Sequence, residues 1–206
     1  MILAVYAIFK AADTYLTPGK RLQSHRFVAV ALFTVAALFV GQGRITLTAD
    51  TPRAAADVYD QKYLAGVFLQ RYFPHTAVMS GELGWITWLH HGPFVDILGL
   101  GDYGVLQELR RTDFAGTPAY WQSLASADGV KVVVIYPQTI SWSVPKQWTL
   151  VGVWHLHHRR LTALSRQFMF YATTPELVGP LTRDLRSFAP HLPDRESLTL
   201  LPSPGN

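Results

Sequence analysis

AVMSGELGWITWLHHGPFVDILGLGD, residues 77–102, carries the signals that decide the fold. The apolar run Ala77-Val78-Met79 predicts a short strand that stops at Ser80-Gly81. Gly81 makes a sharp turn cheap, and Gly84 allows close backbone approach. Leu83, Ile86 and Leu89 are then spaced to share one face of a helix. His91-Gly92-Pro93 ends it, because glycine accepts the left-handed cap and proline cannot continue the ladder. Phe94 to Leu98 reads as a second strand, closed by Gly99 and Gly101. A strand–turn–helix–strand unit of this kind seeds a parallel α/β sheet.

Downstream, Thr117-Pro118 reads as a helix cap with proline in the first turn, opening a helix through Tyr120, Trp121 and Leu124. Val130 to Tyr136 is almost continuously β-branched, as suits a central strand buried on both faces. Trp148 to Leu156 predicts a further strand. His157-His158-Arg159-Arg160 is read as its turn, with Leu161 to Tyr171 returning antiparallel. Thr174-Pro175-Glu176 opens a last helix to about Phe188, and Leu198 to Leu201 reads as an edge strand.

Upstream, a helix is predicted from about Arg53 to Tyr72, with Thr51 as its cap and Pro52 in its first turn. Tyr59, Tyr63, Leu64, Val67 and Phe68 form its apolar stripe, and Asp57, Gln61, Lys62 and Arg71 are assigned largely to other faces. Before it, FVAVALFTVAALFVG, Phe27 to Gly41, carries no charge and no proline. Its roughly fifteen residues extend to about seventeen with Gln42 and Gly43, against the ~20 that a spanning helix usually needs. Every face is apolar, which fits a membrane span or a fully buried core helix. Lys20, Arg21, His25 and Arg26 flank one end, as the positive-inside rule expects of a span, and that orientation leaves the rest of the chain outside the cytoplasm. Ile2 to Ala12 is too short to span alone and would complete a hairpin at most.

Composition narrows the function classes. Charged residues make up 16% of the 206, below the ~25% of ordinary soluble domains. The net charge is +4, but the basic residues are scattered rather than set in a stripe, which argues against nucleic acid. With no cysteine, thiolate chemistry and Cys-based zinc sites are excluded. Neither a G-x-G-x-x-G fingerprint nor a G-x-S-x-G elbow is present, so nothing marks a dinucleotide or serine-hydrolase site. His155 and His157 point to one face of a strand, and a third ligand from His90 or His91 would be needed for zinc. No metal or other cofactor is assigned. Three carboxylates remain as ligand-binding candidates. Glu82 and Asp102 follow the first two strands and Asp96 lies within the second, near the crevice where open α/β sheets bind ligands. The competing reading is structural: Glu82 and Asp102 cap helices, and Asp96 ties down the turn at Gly99 to Gly101. Trp85, Trp88, Trp121, Trp142, Trp148 and Trp154 are read as sugar-stacking, interfacial or core residues.

An apolar helix, a polar helix ending in Phe73-Pro74, the turn Glu82-Leu83-Gly84 and the phrase Asp96-Ile97-Leu98-Gly99-Leu100 together resemble the extracytoplasmic C-terminal part of GT-C-type membrane glycosyltransferases. The resemblance covers Phe27 to Asp102. It implies a polyprenyl-phosphate sugar donor or a glycan acceptor, membrane lipid, and a multispanning partner. The family's catalytic carboxylate lies in its first extracytoplasmic loop, which has no counterpart here, so no catalytic residue is carried over. The expected molecule is thus a truncated or split piece of such an enzyme in the cell membrane, its C-terminal domain extracytoplasmic. Its parts are a membrane-associated segment (1–43, with a span at about 27–43), a linker (44–52), and an α/β domain (53–206). That domain is a mixed, partly parallel, Rossmann-like sheet with flanking helices. The alternative is a free-standing membrane-anchored binding or scaffold module of the cell envelope.

Overall fold

Val132 to Ile135 forms the strand at the centre of the domain, and all four residues are buried. In the computed structural model, which describes residues 10, 31–33, 35–36, 41, 47–114, 116–140 and 143–202, the chain divides into two compact units, 1–51 and 52–206.

The second unit is a six-stranded mixed sheet with flanking helices. Its strands are β1 (Val78–Ser80), β2 (Phe94–Asp96), β3 (Val132–Ile135), β4 (Thr149–Leu156), β5 (Gln167–Ala172) and β6 (Glu196–Leu200). Its helices are α1 (Leu64–Tyr72), α2 (Trp85–Leu89), α3 (Tyr103–Arg111), α4 (Pro118–Ala127), α5 (Pro137–Ile140) and α6 (Pro175–Phe188). The strand order is β2-β1-β3-β5-β4-β6. β1 pairs parallel with both β2 and β3, while β5, β4 and β6 complete the sheet antiparallel. The chain leaves β1 to one side for β2 and returns to its other side for β3, so the connection reverses at β1.

β3 divides the core by its period of two. Val132 and Val134 face a layer with Phe68, Trp154, Phe170 and Phe188, under α1 and α6. Val133 and Ile135 face a second layer with Met79, Leu109 and Trp121, under α3 and α4. Caps set the helix starts: Thr117 Oγ1 accepts the Tyr120 N–H at 3.2 Å, and Asp102 Oδ1 accepts from Gly104 and Val105 at 2.8 and 3.1 Å. The predicted strands are found, the returning one only over Gln167–Ala172, together with the Thr117 cap and the last helix.

Three local expectations are corrected. Thr51 does not cap: its hydroxyl donates to the Leu47 carbonyl at 3.0 Å, as threonine does inside a helix. The helix through Ala54 instead widens into a π-helical segment, Val58–Tyr63, before α1. Leu161 to Arg166 is loop rather than strand, because the backbone N–H groups of Leu161, Thr162 and Ala163 bind Asp57 and are lost to the sheet ladder. Of the tryptophans, Trp121, Trp148 and Trp154 are core, Trp85 and Trp88 are exposed, and Trp142 lies outside the described residues.

In the first unit every described residue is helical from Lys10 through Thr51. Among the described residues no helix is long and apolar enough to cross a membrane. Most of the expected span, Phe27 to Gly43, and of Ile2 to Ala12 lies outside the described residues. Phe33 and Val35, which belong to the apolar run, are exposed.

Candidate functional site at the carboxyl edge of the sheet

The parallel strands end at Ser80, Asp96 and Ile135, and the register brings Leu156, Gln167 and Glu196 to that same edge. The polar groups discussed below, His90 excepted, sit on or just beyond it, where ligands bind in open α/β sheets.

The three carboxylates read from the sequence do not converge. Asp96 is buried and takes two backbone bonds, from Leu98 at 2.8 Å and Gly101 at 2.7 Å. This is the turn-fixing role, made possible because Gly99 takes φ +67° with the Leu106 backbone packed against it. Asp102 is consumed by the cap of α3. Glu82 pairs with Lys62 at 3.1 Å and lies close to Tyr136 at the end of β3. Burial, reinforced by Glu82, raises the Tyr136 phenol above its ordinary value. Asp96→Asn keeps the shape but replaces one charged acceptor, so a loss of about 1–2 kcal/mol is expected in thermal melts without ligand.

A larger polar cluster joins residues far apart in the chain. Asp57, Asp60 and Gln61 are buried rather than turned to solvent. Asp57 accepts N–H bonds from Leu161, Thr162 and Ala163 at 2.6, 2.7 and 3.2 Å, and from His158 Nε2 at 2.8 Å. Burial works against its charge, but the three backbone donors and His158 outweigh that and hold the carboxyl below its ordinary value. Asp60 receives Nε and Nη2 of Arg195 at 2.5 and 2.7 Å, a bidentate pair. Gln61 Nε2 donates to the Ser165 carbonyl at 2.9 Å. The cluster therefore pins the β4–β5 loop and the start of β6 onto the helix.

Glu196 lies beside this pair with both carboxyl oxygens buried and, among the described residues, without hydrogen-bond partners. Burial, then the Asp60 charge, push it up to about 8, with Arg195 acting in the other direction. A carboxyl raised in the fold stabilises it in full below the ordinary carboxylate range, and that contribution is lost as pH rises through about 8. Glu196→Gln, isosteric with the protonated acid, is expected to flatten the fall in melting temperature across that range; an unchanged profile would contradict the assignment.

Beyond the cluster, an open cleft of about 660 Å³ is lined by Gln138, His155, His157, Arg160, Arg166 and Gln167, with Leu156 and Ser165. Among the described residues no carboxylate lines it. His155 and Gln167 are register partners across β4 and β5, and His157 Nε2 lies 2.7 Å from Ser197 Oγ. Burial, and then His157, lower the His155 pKa. Arg160 turns back on the carbonyls of Ala163 and Leu164, while Arg166 is exposed and makes no ion pair among the described residues. Such a lining of cations and neutral donors suits a phosphate or carboxylate ligand. The zinc arrangement considered from the sequence is not assembled. His90 Nε2 lies 2.9 Å from the Thr76 carbonyl, just before β1 and so at the opposite edge from His155 and His157. Among the described residues no group of three potential ligands could hold a metal.

The fold and this edge define a mixed α/β unit carrying a basic cleft. Residues 53–172, more than half of the chain, match the family described as Domain of unknown function (DUF8728), and the chain belongs to that family. No curated protein matches the chain, and no solved structure does. The residues lining the cleft all fall within the matched range, whereas Arg195 and Glu196 fall beyond it.

The sequence flagged His155 and His157 as neighbours on one strand face, so two of the cleft's lining residues were visible in it. The Asp57 cluster was not. Asp57, Asp60 and Gln61 do follow a helical i, i+3, i+4 spacing, which is the one signal that could have grouped them.

Proposed function

We propose that residues 52–206 form the outer domain of a lipid-linked sugar transferase of the cell membrane, one that binds the phosphate-bearing donor without supplying the catalytic carboxylate. The observation that carries this reading is the cleft, with two arginines, two histidines and, among the described residues, no acid along its wall. A polyprenyl-phosphate sugar offers an anionic group for the guanidinium and imidazole donors, and hydroxyls for Gln138 and Gln167. Asp96 and Asp102 are engaged by backbone, and Glu82 by Lys62, so the candidate acids serve the scaffold. Chemistry in this reading comes from a multispanning part of the enzyme.

Placement at the membrane is also proposed, with Phe27 to Gly43 as the span and the domain extracytoplasmic. The exposure of Phe33 and Val35 supports this over a buried core helix. The test is sugar transfer from a polyprenyl-phosphate donor in membranes of cells that lack the chain. Transfer should be lost, be restored by the wild-type chain, and fall about tenfold with Arg166→Gln, the size of one charge-assisted contact. Unchanged transfer in the deletion strain would favour the alternative of a membrane-anchored binding module. A neighbouring reading frame encoding the missing spans and acidic loop would favour the transferase.

A further inference from the structure

We infer that the carboxyl edge of the sheet is also a bilayer-docking surface, through which the domain itself rests on an anionic membrane. This rests on the placement of the chain at a membrane and goes beyond the binding of any sugar donor.

The first observation is the distribution of exposed apolar side chains. Trp88 is 77% exposed, Leu100 75%, Tyr103 68%, Leu164 53%, Tyr59 48% and Trp85 41%. Trp85 and Trp88 stand on the helix that leaves the end of β1, and Leu98, Leu100 and Tyr103 on the turn that leaves the end of β2. Leu164 lies in the β4–β5 loop at the same edge. Among the described residues of this unit, the large exposed apolar side chains all belong to elements at or leaving the carboxyl edge, except Phe114.

The aromatic part is organised. Tyr59 stacks on Tyr63 at 5.1 Å, and Tyr63 meets Trp85 edge-on at 5.4 Å. Tryptophan and tyrosine with one wet and one apolar side are the residues that settle at the headgroup level of a bilayer.

Charge supplies the second observation. Along the other half of this edge Arg159, Arg160 and Arg166 are exposed on the β4–β5 loop, and none forms an ion pair among the described residues. Each basic residue near an anionic surface adds attraction. Trp/Leu/Tyr together with Arg on one rim is the composition of an interfacial surface.

The third observation is where the chain enters the unit. Pro52 lies little more than one helical turn before Asp57, which is bound to the β4–β5 loop at this edge. The apolar run Phe27 to Gly41 precedes Pro52 by only ten residues. The chain thus enters the second unit at this edge, through the helix that Asp57 ties to the β4–β5 loop.

The chain has no cysteine, so single labels are unambiguous. The full chain is reconstituted in vesicles of phosphatidylethanolamine and phosphatidylglycerol, with an environment-sensitive fluorophore at Trp88→Cys, at Leu100→Cys, or at Asp128→Cys in the turn preceding β3 at the opposite edge. Nitroxide-labelled lipid should quench most of the emission at positions 88 and 100 and leave position 128 unaffected. Chain that floats with the vesicles but shows equal, weak quenching at all three sites would overturn docking while leaving the anchor intact. Chain that does not float with the vesicles would overturn both. Shielding of 88 and 100 by a co-purifying protein, without lipid quenching, would assign the surface to a protein partner and overturn the lipid assignment. None of these outcomes bears on donor binding in the cleft, which is read out separately.

Discussion

Phe68→Ala is expected to destabilise the domain by about 4 kcal/mol, the range for emptying a buried aromatic site. Phe68 has no exposed surface, and its ring meets Tyr72, Phe73, Trp154, Phe170 and Phe188 with centroids 5.3 to 6.0 Å away. It is the point where α1, α6 and the antiparallel half of the sheet converge. Tyr72, Trp154, Phe170 and Phe188 are held by further ring contacts, such as Trp154 on Phe188 at 5.7 Å, which limits their collapse into the space. For a unit of this size the loss corresponds to a fall in melting temperature on the order of 10 °C. Trp88→Ala serves as the contrast: it is exposed, so its cost should stay within about 0.5 kcal/mol. Melts of the full chain in detergent check both, and a loss below ~1 kcal/mol for Phe68→Ala would contradict this description of the core.

Asp57→Ala is expected to cost about 3–5 kcal/mol, because it leaves buried donors without their acceptor. Leu161, Thr162 and Ala163 lose the carboxylate that replaces their strand pairing, and His158 loses its partner. Asp57→Asn keeps one acceptor oxygen but turns an amide N–H₂ toward donors, so its cost should be intermediate. Amide exchange gives the specific readout. Protection at 161–163 should vanish in Asp57→Ala while protection in β3 survives at a reduced level. The sign with pH is opposite to that of Glu196. Asp57 is depressed, so its contribution is present above the ordinary carboxylate value near 3.8 and is lost as pH falls through the lower value in the fold. Glu196 loses its contribution as pH rises toward about 8. The two together place maximal stability on the acidic side of neutrality.

Much of the fold was legible because its signals are local. β3 announced itself as four consecutive buried apolar residues, and α4 by Thr117-Pro118 at its start. The role of Asp96 followed from a carboxylate two to five residues before a glycine-rich turn, within reach of that turn's own N–H groups. The Asp57 cluster failed the same kind of reading because its partners lie more than a hundred residues away. Only the packing of the helix across the carboxyl edge brings them together. For the same reason Leu161 to Arg166 looked like strand: its composition permits one, and the competing acceptor that keeps it out of the sheet is elsewhere in the chain. The cleft was legible only in part, since His155 and His157 share a strand face by period, whereas Arg166 and Gln138 reach it through tertiary structure alone.

The basic cleft at the carboxyl edge is proposed to receive a phosphate-bearing ligand. The most direct measurement is calorimetric titration of the full chain in detergent with a short prenyl phosphate and with the corresponding prenyl alcohol, for wild type and Arg166→Gln. Arg183→Gln, whose cation pairs with Asp184 on α6 away from the cleft, is the control. Binding of the phosphate over the alcohol is expected, weakened about tenfold in Arg166→Gln and unchanged in Arg183→Gln. Equal affinity for phosphate and alcohol, or full phosphate affinity in a folded Arg166→Gln chain, would contradict it.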